Sequence, residues 1–231
     1  MVPDSLPLCY LNSFGNYCGF ERDVAGWPIG VKELATEVVP MDIADAYDFL
    51  ANGRIDLACC ACSPVDERAD EAVYTFPYVQ LQLGVLSATS KPFASVKELA
   101  GHVLLACEGS YAATYAKKNL PDVELRLYET YTNLYQALQA GRGDAIIADE
   151  IVLEGWAAKR SAYAVSLREL GDPRPICLAA AAQHKDLIDF LTYGLRDYIL
   201  NNHMATSYER YVIKNVGENY ADMLLKAPDD A

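Results

Sequence analysis

The sequence predicts an α/β protein built as two lobes. Three observations predict it: a helix-to-strand unit that occurs twice, apolar runs too continuous for half-exposed strands, and two extended segments placed to carry the chain from one lobe to the other. The repeat is Ala46-Tyr-Asp-Phe-Leu-Ala-Asn-Gly-Arg-Ile-Asp-Leu-Ala58 against Leu134-Tyr-Gln-Ala-Leu-Gln-Ala-Gly-Arg-Gly-Asp-Ala-Ile146, with Tyr, Leu, Gly, Arg and Asp in register. Each copy reads as a short helix closed by a glycine, Gly53 or Gly141, where a left-handed residue ends a helix at little cost. Each is followed by an apolar run, Leu57–Cys62 or Ala145–Ala148, whose continuity predicts parallel strands covered on both faces.

A further strand-to-helix unit runs from His102–Ala106 through Cys107-Glu108-Gly109-Ser110 into a helix from Tyr111 to Asn119. Ser110 is a good N-cap, and Lys117 and Lys118 suit the negative end of the helix dipole. A helix N-terminus at a strand's carboxyl end favours an anion. Residues 185–202 carry Leu187, Ile188, Leu191, Leu195, Tyr198 and Ile199 at helical spacing, which predicts a long amphipathic helix. The alternating stretch from Tyr78 to Leu86 and the extended run from Pro175 to Ala180 are read as the two crossings. Lobe 1 is then residues 4–84 with 182–231, and lobe 2 is residues 85–181.

Half of the chain is apolar (52%), enough for one large core or two modest ones. Its 19 basic and 32 acidic residues give a net charge of −13, which opposes nucleic acid and anionic membrane surfaces as partners. No apolar run reaches the roughly 18–20 residues of a spanning helix, and Met1-Val2-Pro3-Asp4 resembles no signal peptide. An exported form would have lost its signal or anchor. Of the seven cysteines, at least one cannot pair within the chain. In an extended strand Cys60 and Cys62 would share a face and Cys59 point the other way, which reads as small buried side chains. His102, His184 and His203 stand at no ligand spacing from them, so neither metal nor cofactor is expected. A Cys9–Cys18 pairing stays open.

Enzyme signatures are sparse: there is no Gly-x-Ser-x-Gly elbow, no phosphate-binding Gly-rich loop and no His-Glu-x-x-His. Two polar segments follow the apolar runs of the repeat, where open α/β sheets present ligands. One is Ser63-Pro-Val-Asp-Glu-Arg68 and the acidic stretch beyond it, and the other is Asp149-Glu150. Arg68 and Asp149 are therefore ligand candidates from opposite lobes. The alternatives are a surface ion pair of Arg68 with Asp66 or Glu71, and a helix-capping role for Asp149.

Nearly the whole chain resembles the family 3 extracellular solute-binding proteins, two-lobed receptors serving ABC importers of amino acids. The resemblance rests on Ser63 to Tyr78 matching Ser-x-Thr-x-x-Arg with a following Pro-Tyr, on Gly109-Ser110-Tyr111 matching a Gly-Thr-Thr turn, and on Gly141 to Asp149 matching Gly-Arg-x-Asp-Ala-x-x-x-Asp. It implies a type II periplasmic binding fold with mixed sheets and two hinge crossings. It also implies an extracytoplasmic location, an amino acid or similar small polar carboxylate as ligand, and closure of an interlobe cleft upon it. Arg68 would grip the ligand's carboxylate with Ser63 beside it, Gly109, Ser110 and Tyr111 would add contacts from the second lobe, and Asp149 would hold the ammonium. A membrane permease is the implied partner. The same architecture also serves as the sensor domain of membrane kinases or cyclases, and a dehydratase shares it, in which case Glu150 would be the acid or base. In the first lobe, Arg22 to Gly30 is read as the family's hairpin, followed by a shortened helix from Val31 to about Glu37. Phe14 or Tyr17 would then supply the aromatic wall of the pocket.

Overall fold

The computed structural model describes residues 1–30 and 33–228 and divides the chain into two compact units. Unit 1 comprises Met1–Met41, Asp45–Gln80 and Arg174–Ala231, and unit 2 comprises Asp42–Ala44 and Leu81–Pro173. The fold is mixed α/β.

Unit 1 begins with a small hairpin of β1 (Tyr10–Leu11) and β2 (Tyr17–Cys18), in which Tyr10 faces Cys18. The helix α1 (Phe20–Gly30) follows at once. This corrects the reading of Arg22 to Gly30 as a hairpin. Phe20, Glu21, Val24, Ala25 and Pro28 are buried, and that spacing marks one helical face. Burial of the face outweighs the turn preference of Gly26 and Gly30, and Glu21 and Asp23 in the first turn suit the dipole. The helix expected from Val31 to Glu37 is corrected in part: Val31 and Lys32 lie outside the described residues, and 33–37 is not helical. The supposedly shortened helix is therefore α1 itself, displaced in the reading by about ten residues.

The first copy of the repeat forms α2 (Ala46–Ala51), and Gly53 after it takes φ +71° as expected. The apolar run Leu57–Cys62 is not a strand, which is a second correction. Ala58 and Ala179 exchange backbone hydrogen bonds at 2.8 and 3.1 Å, and Cys177 N–H donates to Cys62 O at 2.9 Å. Between those points Ala61 sits at φ +55°, a left-handed residue that breaks the ladder. Neighbouring Met41, Leu50, Ala58, Cys62 and Ala179 nonetheless form a buried cluster, so apolar continuity reported burial correctly and strand geometry wrongly. Beyond it, β3 (Ala72–Tyr74) leads to β4 (Val79–Ala88), a continuous strand in which the chain passes from unit 1 to unit 2.

Unit 2 continues with β5 (Val103–Cys107), α3 (Tyr111–Asn119), β6 (Glu124–Tyr128), α4 (Tyr131–Gln139), β7 (Ala145–Asp149), α5 (Glu150–Ala157) and β8 (Tyr163–Ile176). The sheet order is β6-β5-β7-β4-β8. Strand β5 runs parallel to β6 and β7, and β4 is antiparallel to β7, so the sheet is mixed. All of β7 is buried, and so is β5 after its first residue, as the unbroken apolar runs require. Leu83, Val85, Leu104, Ala106, Ala113 and Ile147 share one core cluster. The starts of α3 and α4 are capped by side chains: Ser110 Oγ accepts from Ala113 N–H at 3.2 Å, and Thr130 Oγ1 accepts from Asn133 N–H at 3.1 Å.

Strand β8 carries the chain back into unit 1, where β9 (Ala179–Ala181) pairs antiparallel with β3. The amphipathic helix is α6 (Lys185–Leu200), with Ile188, Leu191, Leu195 and Tyr198 inward. It packs on α1 so closely that a methyl group added at Gly194 would fall 2.5 Å from Pro28 Cβ. After it comes α7 (His203–Tyr208), continued by a π-helical turn over Glu209–Ile213.

Candidate ligand-binding site

In unit 1 the candidate residues gather on the loop that follows Cys62. Ser63 is fully buried, its N–H donates to Asp66 Oδ2 at 2.8 Å, and Asp66 N–H returns a bond to Ser63 O at 3.1 Å. Asp66 is the hub. It also accepts from Tyr47 Oη at 3.2 Å and from Arg174 Nη1 at 3.4 Å, while Tyr47 and Tyr74 share a hydroxyl contact of 3.0 Å. Arg174, 5% exposed, donates through Nη1 to Ala61 O at 2.7 Å. Burial pushes the phenols of Tyr47 and Tyr74 up, so both remain neutral hydroxyl groups.

Arg68 emerges at the rim of this network. Its Nε and Nη2 donate to the two carboxylate oxygens of Glu71, each at 2.6 Å, and Nη2 also donates to Asp48 Oδ1 at 2.7 Å. The guanidinium carbon lies 5.6 Å from the Tyr47 ring centre. Hydrogen bonds from Arg68 hold the Glu71 carboxyl below its usual range, and those to Glu71 and Asp48 raise the arginine still further. Of the two ion-pair partners open in the sequence, Glu71 is engaged by Arg68, while Asp66 turns to Arg174. Arg68 thus makes a fork-to-fork contact with a carboxylate, at a side chain 36% exposed.

In unit 2, Asp149 ends β7, opposite Leu83 of β4, and is 8% exposed. It occupies the N-cap position of α5 but makes no capping hydrogen bond with its side chain. The neighbouring Glu150 carboxylate is 4% exposed and accepts from Arg168 Nη1 at 2.7 Å and from Glu169 N–H at 3.0 Å. Arg168 also bonds Glu154. Gly109 takes φ +71° just before the Ser110 cap, and Ser110 Oγ donates to Cys107 O at 2.7 Å while it accepts from Ala113. Tyr111, partly buried, opens α3 with its ring 6.5 Å from that of Tyr115. Ser110→Ala is expected to destabilise the protein by about 1 kcal/mol and Ser110→Gly by only a few tenths, measured by denaturant unfolding. A loss for Ser110→Ala well below about 0.5 kcal/mol would mean that the hydroxyl does not act as the cap.

Within unit 1 the structure does not join Phe14 or Tyr17 to Ser63 or Arg68. Phe14 stands at the tip of the β1–β2 hairpin, 86% exposed, its N–H bonded to Asn12 Oδ1 at 2.9 Å. Tyr17 is partly buried in β2. Among the described residues no hydrogen bond, ion pair or ring contact links either to Ser63 or Arg68. Sequence reasoning missed Tyr47, Tyr74 and Arg174. Tyr47 carried a signal, as the matched tyrosine of the repeat, yet its counterpart Tyr135 stacks on Trp156 at 4.4 Å and bonds Val152 O instead. Arg174 carried none, because it joins the loop from more than a hundred residues away. No group of three metal-ligating side chains exists among the described residues.

Comparison with known proteins agrees with this architecture. The chain matches the bacterial extracellular solute-binding proteins, family 3, over residues 1–214. It is 31% identical to a glutamine-binding protein of Geobacillus stearothermophilus over 77% of this chain and 69% of that one. An ABC transporter glutamine-binding protein of Bacillus subtilis is 23% identical over 89% of this chain and 77% of that one. The crystal structure of a solute receptor for L-cysteine from Neisseria gonorrhoeae superposes with a TM-score of 0.88 at 25% identity, covering 94% of this chain and 91% of that one. A cysteine-binding protein of Campylobacter jejuni, at 23% identity, shares the fold with a TM-score of 0.90 over 97% of this chain and 94% of that one. The chain belongs to family 3 of the bacterial extracellular solute-binding proteins.

Proposed function

We propose that the chain binds a free amino acid, or a small polar molecule carrying the same carboxylate and ammonium, on the outer side of a bacterial membrane and presents it to an ABC-type permease. Arg68 takes the carboxylate and Ser63 lines the site beside it. Asp149 takes the ammonium, and Gly109, Ser110 and Tyr111 supply contacts from unit 2. The observation that carries the reading is the forked contact of Arg68 with Glu71 and its further bond to Asp48. Those partners are acidic side chains at the surface, where ion pairs contribute little, so a ligand carboxylate can replace them. Asp149 supports the other half: a nearly buried acid at a strand's carboxyl end whose side chain is not used as a helix cap.

The protein acts by binding and not by turnover. Glu150, the candidate acid or base of the dehydratase reading, is committed to Arg168 and the Glu169 N–H. No described helix is long and apolar enough to cross a membrane.

The experiment is a thermal-shift screen of the purified chain against the amino acids and related carboxylates. A ligand at 100 times its dissociation constant adds about 2.7 kcal/mol of stability. Asp149→Asn is expected to weaken ligands that carry an α-ammonium while sparing simple carboxylates. A flat screen, or equal weakening of both ligand classes by Asp149→Asn, would overturn the reading or the role of Asp149 respectively.

A further inference from the structure

All seven cysteines carry free thiols, and two of them are neighbours in space: the sulfurs of Cys60 and Cys62 lie 3.4 Å apart. The contact depends on Ala61. At φ +55° it folds the three residues into a turn that brings both side chains together. Both of its peptide groups are held in place, the N–H by Glu21 Oε1 at 2.8 Å and the carbonyl by Arg174 Nη1 at 2.7 Å. Cys60 is partly exposed and Cys62 is buried behind it. The other thiols have different surroundings. Cys59 donates to Glu21 O at 3.2 Å, Cys18 donates to Tyr10 O at 3.6 Å, and Cys9 contacts Met1 Sδ at 3.7 Å.

We propose that Cys60 and Cys62 form a two-electron redox site that a peroxide converts into a disulfide. The Cys60 thiolate attacks the O–O bond, takes one oxygen as a sulfenic acid and releases the other as hydroxide. The Cys62 sulfur then attacks the Cys60 sulfur; the S–S bond forms, the S–O bond breaks, and the leaving hydroxide takes a proton to depart as water. Two thiols and one hydrogen peroxide give one disulfide and two waters. The sulfurs must close from 3.4 Å to about 2.05 Å, a movement small enough for side-chain rotation about a fixed turn. Cys60 is the more exposed of the two, with Cys62 buried behind it, so Cys60 is the sulfur that meets the peroxide first.

The test treats the reduced full chain with equimolar hydrogen peroxide, alkylates the remaining thiols and maps the peptide spanning residues 55–68 by mass spectrometry. Two fewer alkylated cysteines than the seven are expected, with the peptide lighter by two hydrogens, one of its three thiols still alkylated, and full reversal by a dithiol reductant. Fragmentation of the wild-type peptide assigns the bridged pair without any variant. Cys59→Ser is expected to retain the bridge, and Cys60→Ser and Cys62→Ser to abolish it, with Cys62→Ser accumulating a sulfenic acid on Cys60 that dimedone traps. A bridge assigned to Cys59, a bridge between other cysteines such as Cys9 and Cys18, or direct over-oxidation of Cys60 in wild type would overturn the assignment.

Discussion

Replacing Arg68 with alanine is expected to abolish ligand-induced stabilisation while leaving the ligand-free melting curve close to that of wild type. The asymmetry follows from where the arginine sits. Its present partners, Glu71 and Asp48, lie at the surface, where water replaces a lost ion pair at little cost. A bound carboxylate has no such substitute once it is enclosed. Truncating one side of an enclosed, hydrogen-bonded charge pair costs about 2–5 kcal/mol, a loss of affinity of at least about thirtyfold. Arg68→Lys is expected to recover only part of it, since an ammonium is a point charge and cannot fork onto both carboxylate oxygens. Calorimetric titration of the wild type, Arg68→Ala and Arg68→Lys with the best ligand from the screen decides the matter. Wild-type affinity in the alanine variant would remove Arg68 from the site and leave its ion pairs as its whole role.

The second large effect is expected at Glu21, which no reading of the sequence singled out. Its side chain is buried at 1% exposure near the start of α1, and its Oε1 accepts from Tyr78 Oη at 2.9 Å and from Ala61 N–H at 2.8 Å. Tyr78 is itself fully buried, and burial together with the Glu21 charge pushes its phenol well up, so it stays a hydroxyl donor. Glu21→Ala would leave the buried Tyr78 hydroxyl and the partly buried Ala61 N–H without their acceptor. At about 1–3 kcal/mol for each, the expected loss is on the order of 4 kcal/mol. Glu21→Gln keeps one carbonyl oxygen in the same place and is expected to lose about half as much. Urea unfolding of the three proteins measures this directly. A loss below about 1 kcal/mol for the alanine variant would show that other groups or water satisfy Tyr78 and Ala61. The expectation matters beyond stability, because Ala61 is the turn residue from which the Cys62, Ser63 and Arg68 loop departs.

Local patterns carried a large part of the fold. The side-chain caps of α3 and α4, the glycine stops after α2 and α4, the lysines of α3, the buried strands β5 and β7, and the inward face of α6 all follow from periodicity and turn chemistry that act within a few residues. The motif matches placed the chain in its family. Local reading failed where two signals competed within one segment. The resemblance set Asp23, Gly26 and Gly30 in register with a hairpin, but the apolar face of α1 finds α6 to bury against, and the helix wins. The run Leu57–Cys62 had the composition of a strand, but a strand also needs continuous partners, and Ala61 at positive φ interrupts them.

The candidate site divides in the same way. Arg68, Ser63, Ser110 and Asp149 stood out in the sequence because each ends or follows a recognisable local unit. The sequence by itself determined the α/β class, the helix and glycine stop of the doubled unit and these candidate positions, since short-range periodicity and capping need only neighbouring residues. Only the tertiary structure decided that Asp66 belongs to Arg174 and Tyr47 while Arg68 holds Glu71, that Glu21 supports Tyr78 and Ala61, and that Cys60 meets Cys62 across a turn. Hydrogen bonds and ion pairs act over about 3 Å, so which groups meet is fixed by how distant segments pack.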